Sequence, residues 1–205
     1  MERFIPLAKI NAILFHPILM PLYLCILVFN TDNPFFSKEF YITWPIYIHI
    51  IFFTILMPLV SLFILKKLKR ISSYSLLDKK ERVLPLALTF IFYFICSMFL
   101  KMSPGGLFIR ACIQVSMLLM IIISFISTMW KISIHSAALG SVLAVLVFMA
   151  AFYKSDILPL IYICIAISGL QMFSRLLLGR HLPSQVYAGY SLGFALMFSV
   201  LVIYG

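Results

Sequence analysis

Between two long apolar runs, residues 174–185 read SRLLLGRHLPSQ, with two arginines and a histidine set close together. The guanidinium of Arg175 offers a planar fork for two phosphate oxygens, and the imidazole of His181, six residues on, has a lone pair suited to attack phosphorus. Arginine-bound phosphate repels an incoming nucleophile less, so with Ser174 the stretch has the parts for phosphoryl transfer. A second set, Ser133-Ile134-His135, places a histidine that could protonate a departing alkoxide, or that simply bonds backbone or water at a membrane boundary. The third is DKKERVLP, residues 78–85. In it Arg82 and Lys79 are candidate phosphate ligands, while Asp78 and Glu81 either pair with neighbouring cations or cap the next helix.

These residues need elements to hold them, and the composition restricts which. With 64% hydrophobic and 11% charged residues and a mean hydropathy of +1.14, the chain has too little polar surface for a soluble globule. A helix needs roughly 20 apolar residues to cross about 30 Å of hydrocarbon. Apolar runs at about 10–29, 42–65, 83–100, 107–130, 136–153, 157–178 and 186–204 predict seven spans. Six is the alternative, because Pro17 and Pro21 interrupt the first run and suggest a kinked or tilted span. Arg3 and Lys9 give the first run a basic start, but no cleavage site follows, so it is read as retained. Short loops and the lack of a linker predict one all-α membrane domain over 1–205, its motif-bearing core at about 66–205.

With seven crossings, the amino terminus and the connections after spans two, four and six share one side of the membrane. Those connections carry the three polar sets. All but Lys38, Lys101, Arg110 and Lys154 of the 16 Lys and Arg residues fall on that side, which the positive-inside bias assigns to the cytoplasm. Leaving out the six basic residues of the motifs reduces the excess to six against four. The basic run at 66–70 is either a topology signal or a contact for acidic head groups. The four cysteines fall inside apolar runs without metal-site spacing and are expected to be buried thiols. Neither HExxH nor an aspartate-rich repeat is present, so no metal or other cofactor is expected. His16 shares the motif side without an evident role, and His49 lies in the opposite half of the membrane.

In order and placement these sets resemble the type 2 phosphatidic acid phosphatase superfamily of membrane lipid phosphatases, whose motifs read KxxxxxxRP, PSGH and SRxxxxxHxxxD. The resemblance covers about residues 78–185, and Ser174, Arg175, Gly179 and His181 fit the last and most specific motif. It implies that His181 forms a phosphohistidine, that His135 protonates the leaving lipid alkoxide, and that Arg175, Arg82 and Ser133 hold phosphate oxygens. The implied partner is a phosphorylated lipid in the bilayer, such as a phosphatidate, a phosphatidylglycerol phosphate or a polyprenyl diphosphate. The expected location is a bacterial inner membrane with the motif face cytoplasmic, although many bacterial relatives of this family face outward.

The chain departs from the family pattern at Ser75, where a lysine is usual, and at Pro85, two residues late. Ile132 and Ile134 replace the proline and glycine of the second motif, and Gln185 replaces the acid that orients the nucleophile. An amide oxygen can accept the imidazole proton but brings no negative charge, so Gln185 belongs with the catalytic residues as the histidine's partner. Two expectations follow: a metal-independent lipid phosphatase or phosphotransferase, or a catalytically impaired relative that binds or moves an anionic lipid.

Overall fold

A computed structural model describes residues 2–31, 40–74, 80–103, 106–154 and 156–204. All regular structure among them is helical, as expected where hydrocarbon offers no water to exposed peptide groups. Seven helices are long and apolar enough to span a bilayer: Ile5–Asn30, Thr43–Lys67, Val83–Met102, Leu107–Met129, Ile134–Phe152, Leu158–Leu177 and Pro183–Tyr204. The chain is a multi-pass membrane protein, with seven such helices among the described residues.

Within that single expected domain, the chain forms two compact units. One comprises Met1–Phe35 and Ile132–Gly205, the other Phe36–Lys131. In the first, the amino-terminal span is broken into α1 (Ile5–Leu14) and α2 (Met20–Asn30) by a 3₁₀ turn at Pro17–Leu19. The break follows from Pro17, which lacks the N–H that a continuing helix would use. His16 closes the turn, its Nδ1 accepting the Ile18 N–H at 3.3 Å.

The first unit is built around α7 (Ile134–Phe152). Two thirds of its apolar window is buried, against 22–39% in the other spans. α9 (Pro183–Tyr204) lies against it at backbone distance. A Cβ at Gly193 would stand 1.9 Å from the Ala137 carbonyl oxygen, and one at Gly189 would stand 2.5 Å from that of Ser133. Small residues four apart let membrane helices approach this closely. The Ser141 hydroxyl donates within α7 to Ala137 O at 3.1 Å and across to Gly193 O at 3.2 Å. α8 (Leu158–Leu177) packs on α7 and on α1.

The second unit holds α3 (Phe40–Ile50), a π-helical turn at Ile51–Leu56, α4 (Met57–Lys67), α5 (Val83–Met102) and α6 (Leu107–Met129). The π turn precedes Pro58, which cannot donate to the helical ladder, and Thr54 Oγ1 donates to Ile50 O at 2.7 Å beside it. His49 is a packing residue here: its Nδ1 lies 2.6 Å from Pro45 O and its ring stacks on Phe99. Glu81 accepts from both the N–H and the hydroxyl of Ser72 at 2.9 Å, a clasp across the loop before α5. All four cysteines are buried free thiols, in line with their apolar settings.

Two helices begin earlier than hydropathy implies, α7 at Ile134 and α9 at Pro183. Ser133 caps the first, accepting the Ser136 N–H at 3.4 Å and the Ser136 hydroxyl at 2.9 Å. Pro183 suits a helix's first turn because its missing N–H would have no helical partner there. His135 and Gln185 therefore stand on first helical turns, held more rigidly than loop residues.

Candidate functional site

The end of α1 and the break after it create the site's first feature. A helix terminus leaves its last carbonyls without helical donors, and Pro17 prevents the chain from supplying them. The Ile13 carbonyl is taken by the His16 N–H at 3.2 Å, one residue short of the helical register. Ala12 O is thereby left without its helical donor, close to the His135 ring. Leu14 O accepts from the Tyr23 hydroxyl at 2.9 Å, and Phe15 O from Gln171 Nε2 at 3.4 Å. Two of these carbonyls are thus satisfied by side chains.

This arrangement also bears on His135. The His16 ring meets that of His135 edge to face, with centroids 5.0 Å apart. Arg175, His16 and His181 all lie within electrostatic range of His135. The first span therefore supplies the immediate surroundings of a residue more than a hundred positions away.

α8 brings in Ser174 and Arg175. Asn11 Nδ2 donates to Gln171 Oε1 at 2.6 Å and to Ser174 Oγ at 2.9 Å, binding α1 to α8 through a buried amide. The Ser174 hydroxyl donates in turn to Leu170 O at 2.8 Å. Its proton is committed within the protein and the residue is 1% exposed, so Ser174 fixes the helix pair here. Arg175, partly exposed, stands in the last turn of α8, where the helix dipole favours a cation.

The chain then reverses sharply. Gly179 has φ +61°, its N–H bonds Leu176 O at 2.9 Å, and the Arg180 N–H bonds Arg175 O at 3.1 Å. That pair of bonds is a Schellman cap, in which the left-handed position favours glycine. It returns the chain within two residues to His181.

His181 and Gln185 occupy one turn. Gln185 Oε1 lies 3.2 Å from His181 Nδ1 and also accepts the Leu182 N–H at 3.1 Å. The second contact fixes the amide's orientation, because a backbone N–H requires an oxygen opposite it. The same oxygen then selects N–H on His181 Nδ1, which in the neutral ring leaves the lone pair on Nε2. An amide turned the other way would have imposed the wrong tautomer. Gln185 O also accepts the Ser133 N–H at 3.1 Å, joining the start of α9 to the start of α7.

Ser133, His135, Ser174, Arg175, His181 and Gln185 thus all belong to the first unit. Arg82 belongs to the second, at the start of α5, where it is 4% exposed. Lys79, with Asp78 and Ser75, lies outside the described residues. Asn11 and Gln171 were missed because each sits as a single amide in an apolar run, and that isolation is itself the signal, since such amides in a membrane are expected to hydrogen-bond between helices. His16 gains from the break a role that its place in the sequence did not suggest.

Chemically, the site offers an imidazole with its lone pair directed to Nε2, and a second imidazole with a guanidinium within electrostatic range of it. The amino termini of α7 and α9, tied by the Ser133–Gln185 bond, add positive dipole ends. A phosphoryl group suits that combination. No protein-family model, curated protein or solved structure matches this chain.

Proposed function

We propose that this protein is a metal-independent membrane lipid phosphatase or phosphotransferase, a divergent member of the type 2 phosphatidic acid phosphatase superfamily. The observation that carries the reading is the gathering of His135 from α7, Arg175 from α8 and His181 from the turn between α8 and α9, with Gln185 directing the nucleophile's tautomer. His181 Nε2 attacks phosphorus, the bond from phosphorus to the lipid oxygen breaks, and His135 in its protonated form gives the leaving alkoxide a proton. His135 then takes a proton from water as that water attacks the phosphohistidine, releasing inorganic phosphate and restoring His181. An acceptor alcohol in place of water makes the second half a phosphotransfer. Arg175 offsets charge on the phosphoryl oxygens throughout. The site faces the cytoplasm of a bacterial inner membrane on the charge bias.

A second reading follows from Gln185. Its amide orients His181 but offers no negative charge to the imidazolium that forms during turnover. That favours a relative that holds an anionic lipid through Arg175 without cleaving it. Phosphate release from phosphatidate, phosphatidylglycerol phosphate and polyprenyl diphosphate, measured in chelator, separates the two. Chelator-insensitive turnover that His181→Ala abolishes is expected. Lipid binding lost in Arg175→Ala, with no turnover on any substrate, would establish the second reading in its place.

A further inference from the structure

Below the broken turn the first unit contains a cleft of about 220 Å³, lined by α2, α7 and α8. Leu139, Val142 and Leu146 of α7 are among its buried walls, with Tyr23 of α2 and Ile163 and Cys164 of α8 beside them. Its origin is the break at Pro17. α1 packs on α8, whereas α2 turns onto α7, so the two halves of the first span take different partners and leave a gap over α7. The lining offers little competing polar chemistry: the Tyr23 hydroxyl is bonded to Leu14 O, and Cys164 is a buried free thiol.

We propose that this cleft holds one hydrocarbon chain of the lipid whose phosphate sits at Arg175; the proposal rests on reading the polar cluster as a lipid-phosphate site. Three observations specify that occupant. The first is continuity, since Phe15 lines the cleft and its carbonyl bonds Gln171, one turn from Arg175. The second is depth. On α8 the lining runs from Ile167 to Leu160, a rise of about 10 Å that stays within the roughly 15 Å of one leaflet. The third is size: the volume exceeds that of a cavity of about 150 Å³ that takes one benzene, yet falls below the range of about 300–1,000 Å³ for drug-sized ligands. A single chain fits these limits, and a helix or a pair of tails does not. Because bilayer lipid is as apolar as the lining, the cleft selects by chain shape, and the cation at its head end selects the anionic lipid.

The test uses the intact protein in lipid nanodiscs with a phosphatidate carrying a photoreactive diazirine midway along one acyl chain. A diacylglycerol with the same chain serves as the comparison. Adducts mapped by mass spectrometry are expected on the lining segments of α2 and α8 with the phosphatidate, and lost in Arg175→Ala and in Ile163→Trp, which fills the rim. Equal labelling by the neutral lipid, or adducts spread over other lipid-facing helices, overturns the proposal. Labelling needs no turnover: phosphate release without cleft adducts refutes the cleft alone, whereas Arg175-dependent adducts without phosphate release uphold the cleft and refute the phosphatase reading.

Discussion

Gly189→Ala tests whether the contact between α7 and α9 sets the catalytic geometry. The added Cβ would stand 2.5 Å from the Ser133 carbonyl oxygen, where ordinary contact begins at 3.4 Å, so the helix ends must part by about 0.9 Å. That opening falls on the Ser133 N–H to Gln185 O bond, which stretches from 3.1 Å past hydrogen-bonding range. His135 moves with Ser133 while His181 and Gln185 stay with α9. A misplacement of about 1 Å can cost about 10²-fold in rate, and phosphate release is expected to fall by that order. Overpacking and the lost bond together lower stability by about 2–4 kcal/mol. Gly169→Ala is the control, since nothing lies within 4 Å of its Cβ; it is expected to be neutral or to stabilise the helix by about 1 kcal/mol at most. Phosphate release and thermal unfolding are measured on both variants in one detergent. Equal melting temperatures would refute the packing argument, and lowered stability with unchanged turnover would refute the positioning argument.

Gln185→Glu keeps the side chain's length and places a carboxylate at His181 Nδ1; turnover is expected to rise, within a ceiling of the roughly 10⁴-fold acid-to-amide cost seen in an unrelated hydrolase triad. Unchanged or lower phosphate release would show that the site is built around the amide. Asn11→Leu removes the donor to Gln171 and Ser174 and should lower stability by about 1–3 kcal/mol, read as a drop in melting temperature; an unchanged value would mean that the α1–α8 amide network contributes nothing. Seven crossings put the termini on opposite faces, so accessibility reporters fused at each end should label from opposite sides. Labelling from one side would rule out an odd number of spans.

The spans were legible because hydrocarbon thickness imposes a length on every crossing, and Pro17 marked the one that breaks. Their ends were less legible. Hydropathy counts Ser133, His135 and Gln185 as loop, whereas a serine cap and a first-turn proline start helices directly at them. The pairing of His181 with Gln185 could be anticipated from their four-residue spacing, but the amide's orientation depends on the Leu182 backbone N–H. The bond between Asn11 and Gln171 joins residues 160 positions apart, beyond the reach of any local pattern. Gly189 and Gly193 did carry a readable sign, a small-xxx-small spacing on an apolar helix, which foretells a close neighbour without saying which helix it is.

Pro17 connects the chemistry with the proposed choice of substrate. In an unbroken helix the Phe15 carbonyl would accept the Leu19 N–H, and Gln171 Nε2 would lose its acceptor. The same unbroken helix would continue along α8, where α1 already packs, and would leave α7 without α2 as a wall of the cleft. One residue without an N–H therefore has two consequences on opposite sides of the turn. Above it, a freed carbonyl engages Gln171 and the His16 ring meets His135 edge to face. Below it, diverging helices leave an apolar slot about 10 Å deep, within one leaflet. A lipid that places its chain in that slot brings its head group toward Arg175 and the two histidines, so in this chain the recognition of the tail and the positioning of the phosphate arise from the same backbone break.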